Sequence, residues 1–503
     1  MALALFSRKE KGIVSTLSIF AVILRVPLAF RSIPFLTTLP YGDDAFYLFS
    51  IAKHLAAGHG PTVDGVSLTN GFQPLIVLLY TPIFWLCGSN TWLAVRWTFL
   101  LNGIIAAFTI WAVAILLRTL ERSPLREGAS IPIIGAVIWT FTFTIFAQMT
   151  NGLETGLASL FLLVAMILYA KIDSITRGWA LGFTLGFAVL ARIDAAIFVV
   201  ILVVILLLKK RIRIAVVISI ASFLVSAPWW LFNWINFGDL MPTSGQAENI
   251  WPLPPGENIY RAIQAVSNIA SFIFYLPNSL SLPLRILWFI VLLTVILFIV
   301  KRTSLTSRLI KMLRIDILLP VLLFLIILFF YYTFFFRAPH FLERYFQPLR
   351  IVWSLLVAAG VAIFWRKKIA RKLIIAAGML GLVFSMDRYA VDYFNPPNTD
   401  LYTIALWARA HPTEKIGMLQ SGVAGFIAPN VINLDGKVNA EALRAHQQGR
   451  LAEYLRNEHF TYIADDKPLI EDIAEMARNH NLYFDSTGMI GSIQLMKWRG
   501  NSE

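Results

Sequence analysis

From Gly12 to Phe30 the chain carries a single charged residue, and comparable apolar runs recur at 92–117, 131–148, 152–170, 178–191, 193–208, 214–231, 283–300, 316–336, 346–365 and 372–387. A helix rises about 1.5 Å per residue and the hydrocarbon core of a bilayer is about 30 Å thick, so runs of this kind predict membrane-crossing helices. The pattern is that of a polytopic α-helical membrane protein with about eleven spans. Pro74 to Leu86 is too short for a comfortable crossing, and counting it would put the basic loop from Arg118 to Arg126 on the wrong side. It is therefore predicted to be interfacial or re-entrant, one of two juxtamembrane helices at 45–57 and 74–88 in the first outer loop.

Loop charges orient the spans. Arg8, Lys9 and Lys11 precede the first run, and Lys209, Lys210, Arg211 and Arg213, then Lys301, Arg302, Arg308, Lys311 and Arg314, then Arg366, Lys367, Lys368, Arg371 and Lys372 form further clusters. Basic loops stay cytoplasmic, which predicts an inside N-terminus and an uncleaved first helix. Residues 31–91, the Asn151-Gly152-Leu153-Glu154 turn, the Arg192-Ile193-Asp194 break, the loops at 232–282 and 337–347, and everything after Met386 then face outward. The unusual polar residues of the membrane region thus collect on one face.

The periodicity changes near Asp387, which divides the chain into a membrane domain, 1–388, and a smaller soluble domain, 389–503. Asn395-Pro396-Pro397-Asn398 reads as a linker. Beyond it, predicted helices at Thr399–Ala410, 440–457 and Leu469–Asn479 alternate with strands at Lys415–Leu419, Val431–Leu434, Phe460–Ala464 and the C-terminus, the pattern of a compact α/β layer. The lone Gly422/Gly425 pair is a tight turn, far short of a dinucleotide fingerprint.

Composition agrees with this class: 58% of the 503 residues are hydrophobic and 14% charged, with 38 Phe and 15 Trp. The net charge of +14 is carried by short loops between apolar runs and reads as topology, not nucleic-acid binding. Cys87 is the only cysteine, so no internal disulfide forms.

Candidate chemistry centres on Asp43 and Asp44 in Tyr41-Gly42-Asp43-Asp44-Ala45-Phe46-Tyr47. Carboxylates beside aromatics at a bilayer surface are costly to desolvate and need a purpose. At the start of the amphipathic stretch 45–57 one Asp suits a helix cap, leaving the other free for proton abstraction; which is which stays open. Transfer chemistry on a lipid phosphate also needs positive charge at the leaving group. Arg344 with Tyr345, Arg337 and His340 in one outer loop, and Arg192 at a break between spans, are the candidates. Arg337 also fits a lipid headgroup, and Arg192 an ion pair with Asp194 or Glu154. Glu154, Asp194, His59, Asn70 and Gln73 are candidate cavity and acceptor residues, and His54 with His59 a weak metal pair. The loop from Asn233 to Ser281 is a candidate gate over the site.

The order Asp-Asp-Ala-Phe-Tyr, Ala-x-x-Leu-Ala-x-Gly-His-Gly and Thr-Asn-Gly-Phe-Gln-Pro-Leu in residues 43–75 resembles the first loop of polytopic glycosyltransferases of the C superfamily, GT-C. The nearest group is similar to the mycobacterial terminal arabinofuranosyltransferases and their bacterial relatives. Asn151-Gly152-Leu153-Glu154-Thr155, Ala191-Arg192-Ile193-Asp194, Glu343-Arg344-Tyr345-Phe346 and Asn433-Leu434-Asp435-Gly436-Lys437-Val438-Asn439 extend the resemblance along the chain. It implies a GT-C fold in the cell membrane and a transferase that moves a sugar from a polyprenyl-phosphate donor to a glycan, lipid or protein acceptor at the outer face. An acidic residue of the first loop would act as general base, or bind a divalent metal (Mg or Mn) as in some branches. The rival reading is a flippase or transporter of the lipid-linked sugar, which would place polar groups near the midplane on repeated, broken helices.

Overall fold

Ser7 opens the first helix, Arg8–Ile23, with a capping box: its hydroxyl accepts from the Glu10 N–H while the Glu10 carboxylate accepts from the Ser7 N–H. The computed structural model that begins here describes residues 6–38, 41–121, 130–249, 313–336, 343–365, 367–394 and 398–499, with isolated positions between 283 and 307. Among the described residues, Arg8–Ala29, Thr91–Leu120, Ile212–Phe237, Asp316–Phe335 and Arg344–Phe364 are long and apolar enough to cross a membrane by length and composition. Shorter apolar helices occupy Ile131–Phe141, Thr155–Ala170, Ile175–Ala191 and Ala195–Leu208, and a long helix fills Lys368–Phe394, running through the boundary expected at 388. The predicted runs are helical over most of their described length, with 131–148 split at Thr142 and residues 152–154 and 193–194 forming turns before their helices; most of 283–300, the greater part of the loop to Ser281, and Arg337 and His340 lie outside the described residues.

Close packing in the bundle follows from small residues. Gly178, Gly182 and Gly186 recur every fourth position, and a Cβ at Gly182 would stand 2.5 Å from the Ala221 Cβ, one at Gly186 2.6 Å from the Val225 Cβ. Helices Ile175–Ala191 and Ile212–Phe237 therefore touch nearly backbone to backbone, the way helices associate where lipid offers no hydrophobic drive.

The two ends of the bundle differ. At one, Arg118 pairs with Glu10 and, at 2.6 Å, with Glu121; the Arg314 N–H donates to the Leu120 carbonyl and Arg211 to the Ile172 carbonyl. The other end carries the first-loop helices Asp43–Ala56 and Pro74–Cys87, the Arg192–Asp194 break and the soluble domain. Helix Asp43–Ala56, whose amphipathic pattern suggested an interfacial position, is enclosed by protein over most of its length. Residues 45–52 are all buried, because the helix is roofed by the soluble domain and Phe426 of that domain inserts against Phe46 (5.4 Å between ring centres) and Trp92 (5.5 Å).

The soluble domain is a five-stranded sheet of β1 (Ile416–Met418), β2 (Val431–Asn433), β3 (Tyr462–Asp466), β4 (Phe484–Ile490) and β5 (Ile493–Trp498) in the order β2-β1-β3-β5-β4. β1 pairs parallel with β2 and β3, and β5 antiparallel with β3 and β4. The crossovers are helical, as parallel pairing requires. The Gly422/Gly425 pair is no turn: it lies in helix Gly422–Ile427.

Candidate active site

Neither acidic residue caps its own helix, which starts without a side-chain cap at Gly42. Asp43 reaches the soluble domain instead. Its carboxylate accepts the backbone N–H of Gly422 at 2.9 Å and of Val423 at 2.7 Å, at the start of helix Gly422–Ile427. The contact is so close that a Cβ on Gly422 would fall 2.1 Å from the Asp43 carbonyl oxygen. Burial pushes the Asp43 carboxyl up to about 7, against those two donors. A carboxyl tuned to that range looks like a general base by titration alone, yet it does not line the cavity described below. The geometry makes it a latch between the two domains. Asp43→Ala should remove two charge-assisted bonds and weaken docking by on the order of 2 kcal/mol. Hydrogen exchange along residues 419–427 should then accelerate while the membrane helices stay protected; unchanged protection there would rule the latch out.

Asp44, the next residue, turns the other way. It lines a cavity of about 330 Å³ between this end of the bundle and the underside of the soluble domain, together with Gln73, Glu154, Arg192, Asp194 and Arg344. The Arg344 Nη1 donates to the Asp44 Oδ2 at 3.0 Å. Arg344 and Tyr345 sit in the single 3₁₀ turn Glu343–Phe346 that leads into helix Gln347–Phe364, which fixes the guanidinium at the bundle end. Both arginines approach one aromatic ring: the guanidinium carbons of Arg192 and Arg344 each lie 5.5 Å from the Tyr345 ring centre. Tyr345 in turn stacks on Tyr332 at 4.3 Å.

Arg192 is satisfied by protein. Its fork donates to Glu154 Oε1 (2.7 Å) and Asp194 Oδ2 (2.7 Å), and the Tyr332 hydroxyl donates to the same Asp194 oxygen at 2.7 Å. Of the two readings open for Arg192, the ion pair is the one found. The network is buried and sets one guanidinium against two carboxylates, a formal charge of −1, and it ties Glu154 to the break between helices Ile175–Ala191 and Ala195–Leu208. Gln73 joins it by accepting the Ile193 N–H at 3.3 Å.

Other predicted site residues lie apart. Asn70 is fully buried and accepts the Thr243 N–H at 3.1 Å; it supports the cavity wall without lining it. His59 packs beside His54, 5.9 Å between ring centres, and His54 Nδ1 lies 3.0 Å from the Thr62 carbonyl oxygen, so the pair shapes the first loop. Three side chains were missed from sequence: Lys437, Glu248 and Tyr332. Lys437 enters the cavity from the loop after β2, held by Glu248 at 3.2 Å and Asp435 at 3.6 Å. Although burial works to lower it, Asp435, Asp44 and Glu248 together hold the Lys437 ammonium above its ordinary range. Its loop lies against the first loop at Gly71, where a Cβ would be 1.7 Å from the Lys437 carbonyl oxygen. Glu248 belongs to the loop predicted as a gate, whose described part adds Met241, Pro242, Ser244 and Gly245 to the wall.

Among the described residues no three of His, Cys, Asp and Glu converge as a metal site. The cavity carboxylates each face a cation, Asp44 with Arg344, Glu154 and Asp194 with Arg192, and Glu248 with Lys437. Those pairings would have to open for a divalent metal to bind, and no step below runs through one.

No protein-family model matches the chain, and no curated protein sequence does. Solved structures do. The oligosaccharyltransferase of Archaeoglobus fulgidus in complex with Zn and sulfate superposes with a TM-score of 0.54 at 14% identity, over 96% of this chain and 72% of that one. The same archaeal enzyme, AglB, in complex with an inhibitory peptide and a dolichol-phosphate gives 0.51 at 12% identity, over 99% and 75%. Its apo form gives 0.50, with the same identity and coverage. The chain shares the overall fold of that archaeal enzyme. At these identities the likeness is one of architecture: an apolar helical region beside a small sheet domain.

Proposed function

We propose that the protein is a membrane glycosyltransferase that takes a sugar from a polyprenyl-phosphate donor, with Asp44 as general base and Arg344 as the principal ligand of the donor phosphate. The single observation that carries this is the juxtaposition of Asp44 and Arg344, 3.0 Å apart, in a cavity between apolar helices and a polar roof. The acceptor hydroxyl gives its proton to the Asp44 carboxylate as its oxygen bonds to the anomeric carbon. The bond from that carbon to the phosphate oxygen breaks, and the polyprenyl phosphate leaves with the electron pair. Arg344 offers a fixed fork to the charge that grows on the leaving phosphate, and Lys437 a second positive charge from the roof. Tyr331, Tyr332, Phe336 and Ile197 supply an apolar flank on the bundle side, suited to the first prenyl units. The dolichol-phosphate held by the archaeal neighbour supports a lipid-linked donor here, and its peptide keeps a protein acceptor in view beside glycan and lipid ones.

In the ligand-free arrangement Arg344 occupies the base. Donor binding resolves this, because the phosphate competes with Asp44 for the guanidinium and leaves the carboxylate able to accept a proton. A flippase is the less favoured reading: the ionisable groups lie at one end of the bundle and not at a midplane break.

The test is turnover by purified protein with a panel of polyprenyl-phosphate sugars, arabinofuranose and mannose among them, with and without chelator. The first-loop likeness to arabinofuranosyltransferases puts arabinofuranose first in the panel. Product formation is expected with at least one donor, and chelator should leave it intact; transport of donor across a bilayer without transfer would favour the flippase. Topology is checked in intact cells carrying Cys87→Ser. A cysteine in place of Lys415 should react with an impermeant thiol reagent and one in place of Lys367 should not, and the reverse result would invert the proposed extracytoplasmic placement of the site.

A further inference from the structure

A second cavity, about 270 Å³, opens on the other side of the helix Asp43–Ala56. Its walls come from the first loop (Tyr47, Ser50 and residues 63–67) and from the soluble domain (Lys415, β2, Asn439, Glu441, Tyr454 and Glu458). None comes from a helix apolar and long enough to cross a membrane. Tyr47 and Val438 line both cavities, and Tyr47 stands three residues after Asp44 on the same helix, so the two spaces meet one turn from the proposed base.

The walls are held in place before any ligand arrives. Asp64 Oδ1 accepts the N–H groups of Val66 (2.9 Å) and Ser67 (2.8 Å), and Thr62 Oγ1 accepts the Gly65 N–H at 2.9 Å, behind which His54 bonds at Thr62. On the facing side Asn439 Nδ2 donates to the Tyr454 hydroxyl at 2.9 Å, and Asn433 Nδ2 to the Tyr47 hydroxyl at 3.2 Å. The surface so fixed mixes carboxylates, amides, phenols and one ammonium with apolar side chains such as Val63, Val66, Val431 and Val438, and the ammonium is engaged by Glu458 at 2.6 Å.

We propose that this cavity is the acceptor subsite and that the acceptor is an uncharged, hydroxyl-rich glycan chain. The inference rests on the reading of Asp44 as base and adds to it the acceptor class. Hydroxyls both donate and accept, which a wall of mixed polarity satisfies group by group. Asp64, Glu441 and Glu458 outnumber Lys415 and repel an anionic acceptor. A lipid acceptor would need an apolar wall continuous with the membrane, and this cavity has none. A glycan lying here would pass between Tyr47 and Val438 to bring its terminal hydroxyl to Asp44, while the lipid donor approaches from the bundle side.

The experiment uses the full-length protein in detergent and a panel of short uncharged arabino-, manno- and gluco-oligosaccharides beside a hydroxylated peptide. Binding is measured on Asp44→Asn protein by native mass spectrometry, and kinetics on otherwise wild-type protein carrying Glu441→Gln or Tyr454→Phe. At least one oligosaccharide should bind Asp44→Asn, and each cavity variant should raise the acceptor KM about tenfold while turnover at saturating acceptor is retained. An acceptor KM unmoved by both variants would overturn the subsite, as would binding of the peptide alone. Oligosaccharide binding that Glu441→Gln weakens, in a protein with no transferase activity on any donor, would keep the glycan site and reject the transferase reading. Absence of both binding and turnover rejects the two together.

Discussion

Asp44→Asn is expected to leave the fold intact and cut turnover about 100-fold or more, the usual worth of a positioned base. Asparagine keeps the size of the side chain and an oxygen that can still accept from Arg344, so the ion pair becomes a neutral hydrogen bond without opening a hole. The Asp44 side chain is 37% exposed, which makes loss of its charge a small matter for stability. What disappears is the group able to take a proton from the acceptor. Donor affinity should hold or improve, because the phosphate no longer competes with a carboxylate for Arg344. The predicted signature is therefore a fall in kcat with donor KM unchanged or lower. Asp43→Asn separates the neighbours: it keeps an acceptor for one of the two docking N–H groups and sets an amide NH2 against the other, and its loss of activity should be partial and track loosened docking. Near-normal turnover in Asp44→Asn would end the assignment whatever Asp43 does.

The sequence made the helical membrane architecture legible because its signal is one-dimensional: an apolar run of sufficient length is a helix in lipid wherever it packs. The soluble domain was legible for a related reason, since the alternation of its apolar residues survives without knowledge of what it rests upon. The site was legible only in part, and the failures share a cause. Asp43 and Asp44 are adjacent and chemically identical, and only the arrival of Gly422 and Val423 from 379 positions away commits Asp43 to docking. Lys437 looks like any loop lysine until Gly71 lets that loop settle against the first loop. The helix at 43–56 shows the reverse error: its amphipathic face suggested the membrane surface, but the covering surface is protein, and hydrophobic periodicity does not distinguish the two. Arg192 was read with both of its outcomes, and the local spacing to Asp194 in a tight break was itself the signal for the ion pair.

Arg344→Ala is expected to cost on the order of 100-fold or more in turnover, the scale seen when a donor aimed at developing charge is removed. Two effects with opposite signs meet in this variant. Truncation frees Asp44 from its ion pair and makes the base more available, whereas the leaving phosphate loses the fork that stabilises it. The second dominates, because the barrier lies where the sugar–phosphate bond is breaking and charge on the phosphate oxygen is largest. The loss should therefore appear more strongly in kcat than in donor KM. Arg344→Lys retains the charge without the planar fork and should recover only part of the activity. The Tyr345 ring carries both guanidinium groups on its flank, and Tyr345→Phe keeps that ring while removing one neutral hydroxyl, so its effect should be the mildest of the three. Lys437, held across the roof by Glu248 and Asp435, supplies the residual positive charge that keeps Arg344→Ala from complete inactivity, and combining Arg344→Ala with Lys437→Met should remove what remains. A structure with a donor analogue decides the matter directly. The phosphate should lie within direct or single-water contact of Arg344, and a separation above about 8 Å would transfer the role elsewhere.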